Sequence, residues 1–149
     1  MGLTYPTGDW SEFFTIGLGV NAGIGYPIIQ RPSFNFELLG SFGANIFFRE
    51  SYQSESSWTR MVLAADGRLN IESVRPLTFF IQGGLGAYWD IVEIYDYPLH
   101  LYEKESDLGF GPRIGLGLAY KFVELKFMYH MVKNQMFSFA LSAVGSFHF

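Results

Sequence analysis

The sequence predicts an all-β fold: an antiparallel, up-and-down transmembrane β-barrel of about eight strands, with seven long strands visible. Three observations predict it. Apolar residues alternate with small or polar ones along most of the 149-residue chain, the signature of half-buried strands. The alternating runs are about 10 to 16 residues long, against roughly 5 or 6 for soluble strands and 9 to 11 for a strand tilted across a bilayer. Finally, 49% of residues are hydrophobic, 19% aromatic and only 16% charged, although about a quarter are charged in ordinary soluble domains. No apolar run of about 18 residues marks a membrane helix.

The strands follow in order. From Phe14, one face carries Ile16, Leu18, Val20, Ala22, Ile24 and Tyr26, and the other carries glycines with Thr15 and Asn21. A turn over Pro27–Ser33 leads to Phe34, Phe36, Leu38, Phe42, Ile46 and Phe48, opposed by Asn35, Glu37, Ser41, Asn45 and Arg49. A polar loop is expected over Glu50–Ser57. The next strand sets Met61, Leu63, Ala65, Leu69 and Ile71 against Arg60, Asp66, Arg68 and Asn70. After the turn Glu72–Pro76, Leu77, Phe79, Ile81, Leu85, Trp89 and Ile91 oppose Thr78, Gln82, Tyr88 and Asp90. A longer loop is expected over Glu93–Asp107. Leu108, Phe110, Ile114, Leu116, Leu118 and Tyr120 then alternate with small residues and Arg113. A tight turn at Lys121-Phe122 leads to Val123–Met131, and a turn near Asn134 to a last strand, Phe137–Phe149.

One face of these strands is nearly continuous Phe, Leu, Ile, Val and Tyr. The other is too rich in glycine and too poor in charge to coat a soluble protein. The apolar face therefore meets lipid and the small, polar face fills the lumen. Closure follows because unpaired backbone groups in hydrocarbon cost several kcal/mol each. Gly17, Gly19, Gly84, Gly86, Gly115 and Gly117 make room for larger lumen side chains. Tyr26, Trp58, Tyr88, Trp89, Tyr120 and Tyr129 lie near strand ends, as an interfacial aromatic belt would.

Short turns belong at the periplasmic end and longer loops outside. That orientation places Phe149 at the periplasmic end and leaves seven full strands, whereas single-chain bacterial barrels have an even number. Met1–Trp10 is too short for another complete span. The single domain, residues 1–149, thus has its first strand in question. It lies upstream, or the first residues form a stunted strand, or another membrane protein supplies the edge. Met1–Pro6 lacks the basic start and apolar core of a secretory signal, so any signal peptide lies outside this sequence.

The segments Phe79–Tyr88 and Gly111–Tyr120, and the ending Val123–His130 followed by Phe137–Phe149, resemble the superfamily of small bacterial outer-membrane β-barrel proteins. The resemblance implies an outer-membrane location, with the lipid bilayer and lipopolysaccharide as surroundings. It implies that Phe149 is the signal read by the barrel-assembly machinery. Members of that superfamily include adhesins, immune-evasion factors, small pores, structural barrels and a few lipid-modifying enzymes, so it says little about activity.

The candidate site is a polar network in the lumen: Glu37, Arg60, Asp66, Arg68, Arg113, Glu124, Lys126 and His130, with Arg49 and Asp90 on the same face. Glu37 and Arg68 should come close across adjacent strands. An ion-paired plug fits these residues better than a conducting path, because side chains largely fill an eight-stranded interior. Catalysis needs a nucleophile within reach of a base. The pair Ser146/His148 offers both at the periplasmic rim of the lumen, but without clear lipid access, and His130 is the other candidate base. The segment Tyr95–Asp107 is acidic, with Asp96, Glu103, Glu105 and Asp107 around His100. It lacks the spacing of a metal loop, and a recognition surface suits it better. The net charge of −4 gives no basic patch for nucleic acid. With no cysteine there is no thiolate metal site, and no cofactor is indicated. The expectation is a non-enzymatic barrel with a structural or interaction role. A lipid-modifying enzyme, a small porin-like pore and a subunit of a larger outer-membrane assembly are the rivals.

Overall fold

The computed structural model describes residues 1–7, 14, 16–50, 54–74, 76–96, 99–121, 123–133 and 136–143. Eight strands follow one another: β1 (Gly2–Pro6), β2 (Gly17–Gln30), β3 (Phe34–Glu50), β4 (Ser54–Val74), β5 (Leu77–Asp96), β6 (Leu101–Tyr120), β7 (Val123–His130) and β8 (Met136–Ala143). Each pairs with its sequence neighbours, and β1 pairs with β8 to close the ring. Every pairing is antiparallel. The architecture is the all-β, eight-stranded antiparallel barrel that the alternation predicts.

The register fixes the shape. From Thr4, the ladder through Ser138 and Met128 arrives at Gly115 of β6. The other way, through Gly17, Phe47, Trp58 and Val92, it arrives at Glu105 of the same strand. The stagger between Glu105 and Gly115 is ten residues. Eight strands with this stagger tilt by roughly 40° and enclose a space that side chains can fill.

Side chains alternate as this geometry demands. On β6, Phe110, Ile114 and Leu116 are exposed while Gly111, Arg113, Gly115 and Gly117 are buried. Outward residues are among the most exposed in the chain, with Ile24 at 79% and Phe110 at 73%. Inward ones such as Phe47, Trp58 and Tyr88 are at 0%. The apolar surface faces out and the charges face in, the inverse of a soluble barrel.

Two expectations change. The Glu50–Ser57 and Glu93–Asp107 segments are mostly strand, and the connections shrink to residues 51–53 and 97–100. The ladder continues through the polar stretch because cross-strand pairs support it. Tyr95 faces Tyr102, and Glu93 faces Lys104, whose Nζ donates to Glu93 Oε1 at 2.8 Å. Strands β4, β5 and β6 thus reach 20 or 21 residues, twice what a bilayer needs. The second concerns closure. The five residues of β1 occupy the eighth position, pairing with five residues of β8 and three of β2.

Candidate functional site

The lumen side chains lie in three tiers down the inward face of β4. Nearest the long hairpins, Arg60 binds Asp90 in a fork: Nε donates to Oδ1 and Nη2 to Oδ2, each at 2.6 Å. Trp58 Nε1 donates to the same Oδ1 at 2.9 Å. The Arg60 guanidinium lies 4.7 Å from the Trp58 ring centre and 5.4 Å from that of Tyr88, within cation–π reach. Phe47 stacks on Trp58 at 4.3 Å, and Phe14 tilts against Trp58 at 5.8 Å. An aromatic layer therefore lies beside the highest ion pair.

In the middle tier, Arg113 of β6 reaches Asp66 of β4. Its Nε donates to Oδ1 at 2.8 Å, and Nη2 donates to Oδ2. Nη2 also donates to Ser41 Oγ at 2.6 Å, and Gln82 Nε2 to Asp66 Oδ2 at 2.6 Å. Strand β5 makes room between the two ions. Gly84 faces both Asp66 and Arg113 in register, and a Cβ on it would fall on the Ala65 carbonyl and 2.6 Å from Asp66 Cα. The neighbouring Gly86 leaves space that the Tyr88 phenol occupies.

In the lowest tier, Arg68 Nη1 donates to Glu124 Oε2 at 2.6 Å, and Arg68 Nε to Asn70 Oδ1 at 2.7 Å. Glu37 Oε1 lies 3.4 Å from Arg68 Nε and accepts from Asn70 Nδ2. The Arg68 guanidinium covers the Phe80 ring at 3.7 Å. Lys126 is half-buried at this level, with no ion pair within 4.0 Å among the described residues. Across the tiers, four cations (Arg60, Arg68, Arg113, Lys126) balance four anions (Glu37, Asp66, Asp90, Glu124). Buried ions persist only when paired and hydrogen-bonded.

His130 sits between hydroxyls. Its Nδ1 is 3.2 Å from Tyr88 Oη, and its Nε2 is 3.2 Å from Ser138 Oγ. Its two ring nitrogens thus face a phenol and a hydroxyl, and among the described residues no carboxylate hydrogen-bonds the ring. Ser146, His148 and Phe149 lie outside the described residues.

The aromatic belt needs a correction. Tyr26, Trp89 and Tyr120 are exposed on the outer surface. Tyr129 is half-buried and stacks on Phe137 at 4.5 Å. Trp58 and Tyr88, by contrast, are fully buried. Each shares the parity of an inward ion, Trp58 with Arg60 and Tyr88 with Asp90, and the two-residue period of a strand puts both in the lumen. The aromatic layer around Trp58 escaped sequence reasoning, which weighed strand-end position over parity.

Beyond Trp89 and Leu108, the β5–β6 hairpin leaves the band of nearly continuous outward apolar residues. Arg49, Glu55, Ser57, Glu93, Tyr95 and Tyr102 help line a shallow groove of about 510 Å³ on the extended strands. The Lys104 ammonium donates a hydrogen bond to Glu93, with one from Tyr102 adding to it, and this holds the carboxyl below its ordinary range. The same carboxylate raises Lys104. At the tip, Tyr95 Oη and His100 Nδ1 are 3.4 Å apart. Asp96, Glu103, Glu105 and Asp107 are spread along two strands, and among the described residues no group of three or more His, Cys, Asp or Glu could hold a metal ion.

This fold has a solved counterpart. The chain is similar to Ail, the attachment invasion locus protein of Yersinia pestis, with a TM-score of 0.57 over 95% of this chain and 94% of that one. Sequence identity is 11%, so the likeness concerns the fold. Neither a protein-family model nor a curated protein matches the sequence.

Proposed function

We propose that this chain is a bacterial outer-membrane β-barrel that serves as a rigid, non-enzymatic display scaffold. The observation that carries the proposal is the division of β4, β5 and β6. Their first or last ten or so residues belong to a band with an apolar outside and an ion-paired inside. The remainder stands beyond that band as a mixed sheet, with Glu93, Tyr95, Tyr102, Lys104 and His100 beside exposed Ile94, Leu99 and Leu101. A filled lumen makes a firm base for such a sheet, and residues on rigid scaffolds commonly carry binding. Lipid and lipopolysaccharide surround the barrel in this reading, and Phe149 addresses it to the assembly machinery. The attachment named in the description of Ail supports an interaction role over a catalytic one.

An epitope inserted between Leu99 and His100 tests the orientation. Intact cells expressing the variant should bind the antibody without permeabilisation. Labelling only after the outer membrane is broken overturns the proposal. Planar-bilayer recording tests the lumen: steady single-channel conductance would replace the scaffold with a pore. Lipid A modified by the wild-type chain but not by His130→Ala would replace it with an enzyme.

A further inference from the structure

On the outward face beyond Trp89 and Leu108, the register sets large side chains around a small one. Phe48 of β3 faces Ser57 of β4, Ser57 faces Glu93 of β5, and Glu93 faces Lys104 of β6. One row further, Glu55 faces Tyr95, which faces Tyr102. Adjacent strands lie about 4.8 Å apart, so the strands carrying Phe48 and Glu93 stand roughly 10 Å apart, with the small Ser57 between them. The shallow groove of about 510 Å³ follows from this step in size. Phe48 is 66% exposed and Tyr102 58%, so both offer ring surface to whatever fills it.

The lining combines two chemistries. The faces of aromatic rings are negative and attract C–H groups turned toward them. The Glu93 carboxylate is held in place by hydrogen bonds from Lys104 and Tyr102. A carboxylate has about four acceptor positions, so it can take further donors. Glu55 adds a second, exposed carboxylate. A ligand that suits both chemistries has a C–H face and a rim of hydroxyl donors, which describes a pyranose sugar. A proline-rich peptide, another chain that docks on aromatic grooves, brings mainly carbonyl acceptors, which these carboxylates repel. Arg49 on the groove and Lys104 beside Glu93 balance the two carboxylates, so a neutral sugar fits better than a phosphate.

The height of the groove points to the source of the sugar. Glu93 lies four residues beyond Trp89 on β5. On a strand tilted by roughly 40° that is a rise of about 10 Å, and headgroups occupy about 5–7 Å on each side of a bilayer's hydrocarbon. The groove also opens sideways, on the same face of the sheet as Trp89 and Leu108. We propose that it binds the sugars of a glycolipid standing in the leaflet beside the barrel. Phe48 and Tyr102 are the stacking surfaces, and Glu55 and Glu93 accept from the sugar hydroxyls. The inference rests on the membrane reading above. A shallow groove suffices there, because a ligand confined to the same leaflet has a high effective concentration.

The test places the chain in phosphatidylcholine nanodiscs with rising mole fractions of lipopolysaccharide. Nuclear Overhauser contacts should appear between sugar C–H protons and the rings of Phe48 and Tyr102, while the Ser57 and Glu93 amide signals shift to saturation. The double variant Phe48→Ala, Tyr102→Ala should raise the midpoint by about tenfold, the worth of two aromatic contacts, with the Asp66 and Arg113 signals unmoved. Glu55→Gln should raise it by about fivefold, since a neutral acceptor is roughly half as strong as a carboxylate. Absence of the ring contacts, or a midpoint that neither variant moves, overturns the proposal. The oligosaccharide cleaved from the same lipopolysaccharide, added free to plain nanodiscs, should act only weakly. An equal response at equal total concentration overturns the leaflet source. The same shifts from a proline-rich peptide overturn the choice of a sugar. Nitroxide labels on Leu85 and Leu116, away from the groove, report lipid contact separately, so failure of the membrane reading shows as aqueous exposure there.

Discussion

Asp66 of β4 and Arg113 of β6 meet inside the barrel across the glycine-lined face of β5, with Arg113 Nε donating to Asp66 Oδ1 at 2.8 Å. Both are buried, and Gln82 and Ser41 complete their hydrogen bonds. The pair ties together strands that do not touch in the ladder. Arg113→Ala leaves a buried carboxylate without its cation and should destabilise the barrel by about 3–5 kcal/mol. Replacing both partners with leucine should cost much less. Equilibrium urea unfolding in detergent micelles measures each, and equal losses for the single and double variants would contradict the assignment.

Gly84 enables that meeting. A methyl group there falls against the β4 backbone at Ala65 and Asp66, and backbone moves less readily than a side-chain tip. Gly84→Ala should destabilise by about 1–3 kcal/mol, the usual cost of overpacking. Gly109→Ala is the control, since nothing lies within 4 Å of a Cβ at that position; it should be near neutral in the same unfolding assay.

The two tryptophans should behave differently. Trp58 is buried, stacked on Phe47 and hydrogen-bonded to Asp90. Trp58→Ala should lose about 3–5 kcal/mol, as large-to-small core changes do. Trp89 is half exposed on the outer face, and Trp89→Ala should lose far less. Comparable losses would return Trp58 to the lipid interface.

Much of this was legible in the sequence. Strict alternation located the strands, and parity separated Leu63 and Leu85 from Asp66 and Gln82. What parity could not show was how far the strands run. The residues from Glu93 to Asp107 look like a loop because the regular apolar rhythm ends near Trp89 and Leu108, while backbone pairing continues to Asp96 and Leu101. Trp58 departs from expectation for a related reason: a tryptophan near a strand end suggests an interface, yet here it sits inside with Phe47 and Phe14. The short β1 was equally hard to see. Five residues carry too little pattern to mark a strand, and only pairing with β8 and β2 reveals it.

The Glu93–Lys104 pair gives the β5–β6 hairpin a pH signature. Glu93 is held below its ordinary 4.5, so its contribution is present above that value and is lost as pH falls through the depressed folded pKa. Lys104 is raised above 10.5, so its contribution holds below that value and is lost as pH rises through the higher folded pKa. Hairpin order should therefore be flat between the two. NMR titration should place the Glu93 midpoint below 4.5, and Lys104→Gln should move it upward. An unmoved midpoint would remove the pair from the account.

Which way the apolar face points decides between a membrane barrel and a soluble one, and a single-cysteine scan along β5 reads it directly, since the chain has no cysteine of its own. Nitroxides at Phe79, Ile81 and Leu85, in protein reconstituted into phospholipid vesicles, should collide readily with oxygen and poorly with a water-soluble relaxant. Dominance of the aqueous relaxant at all three, with the chain monomeric in detergent-free buffer, would contradict a barrel whose outer wall meets lipid.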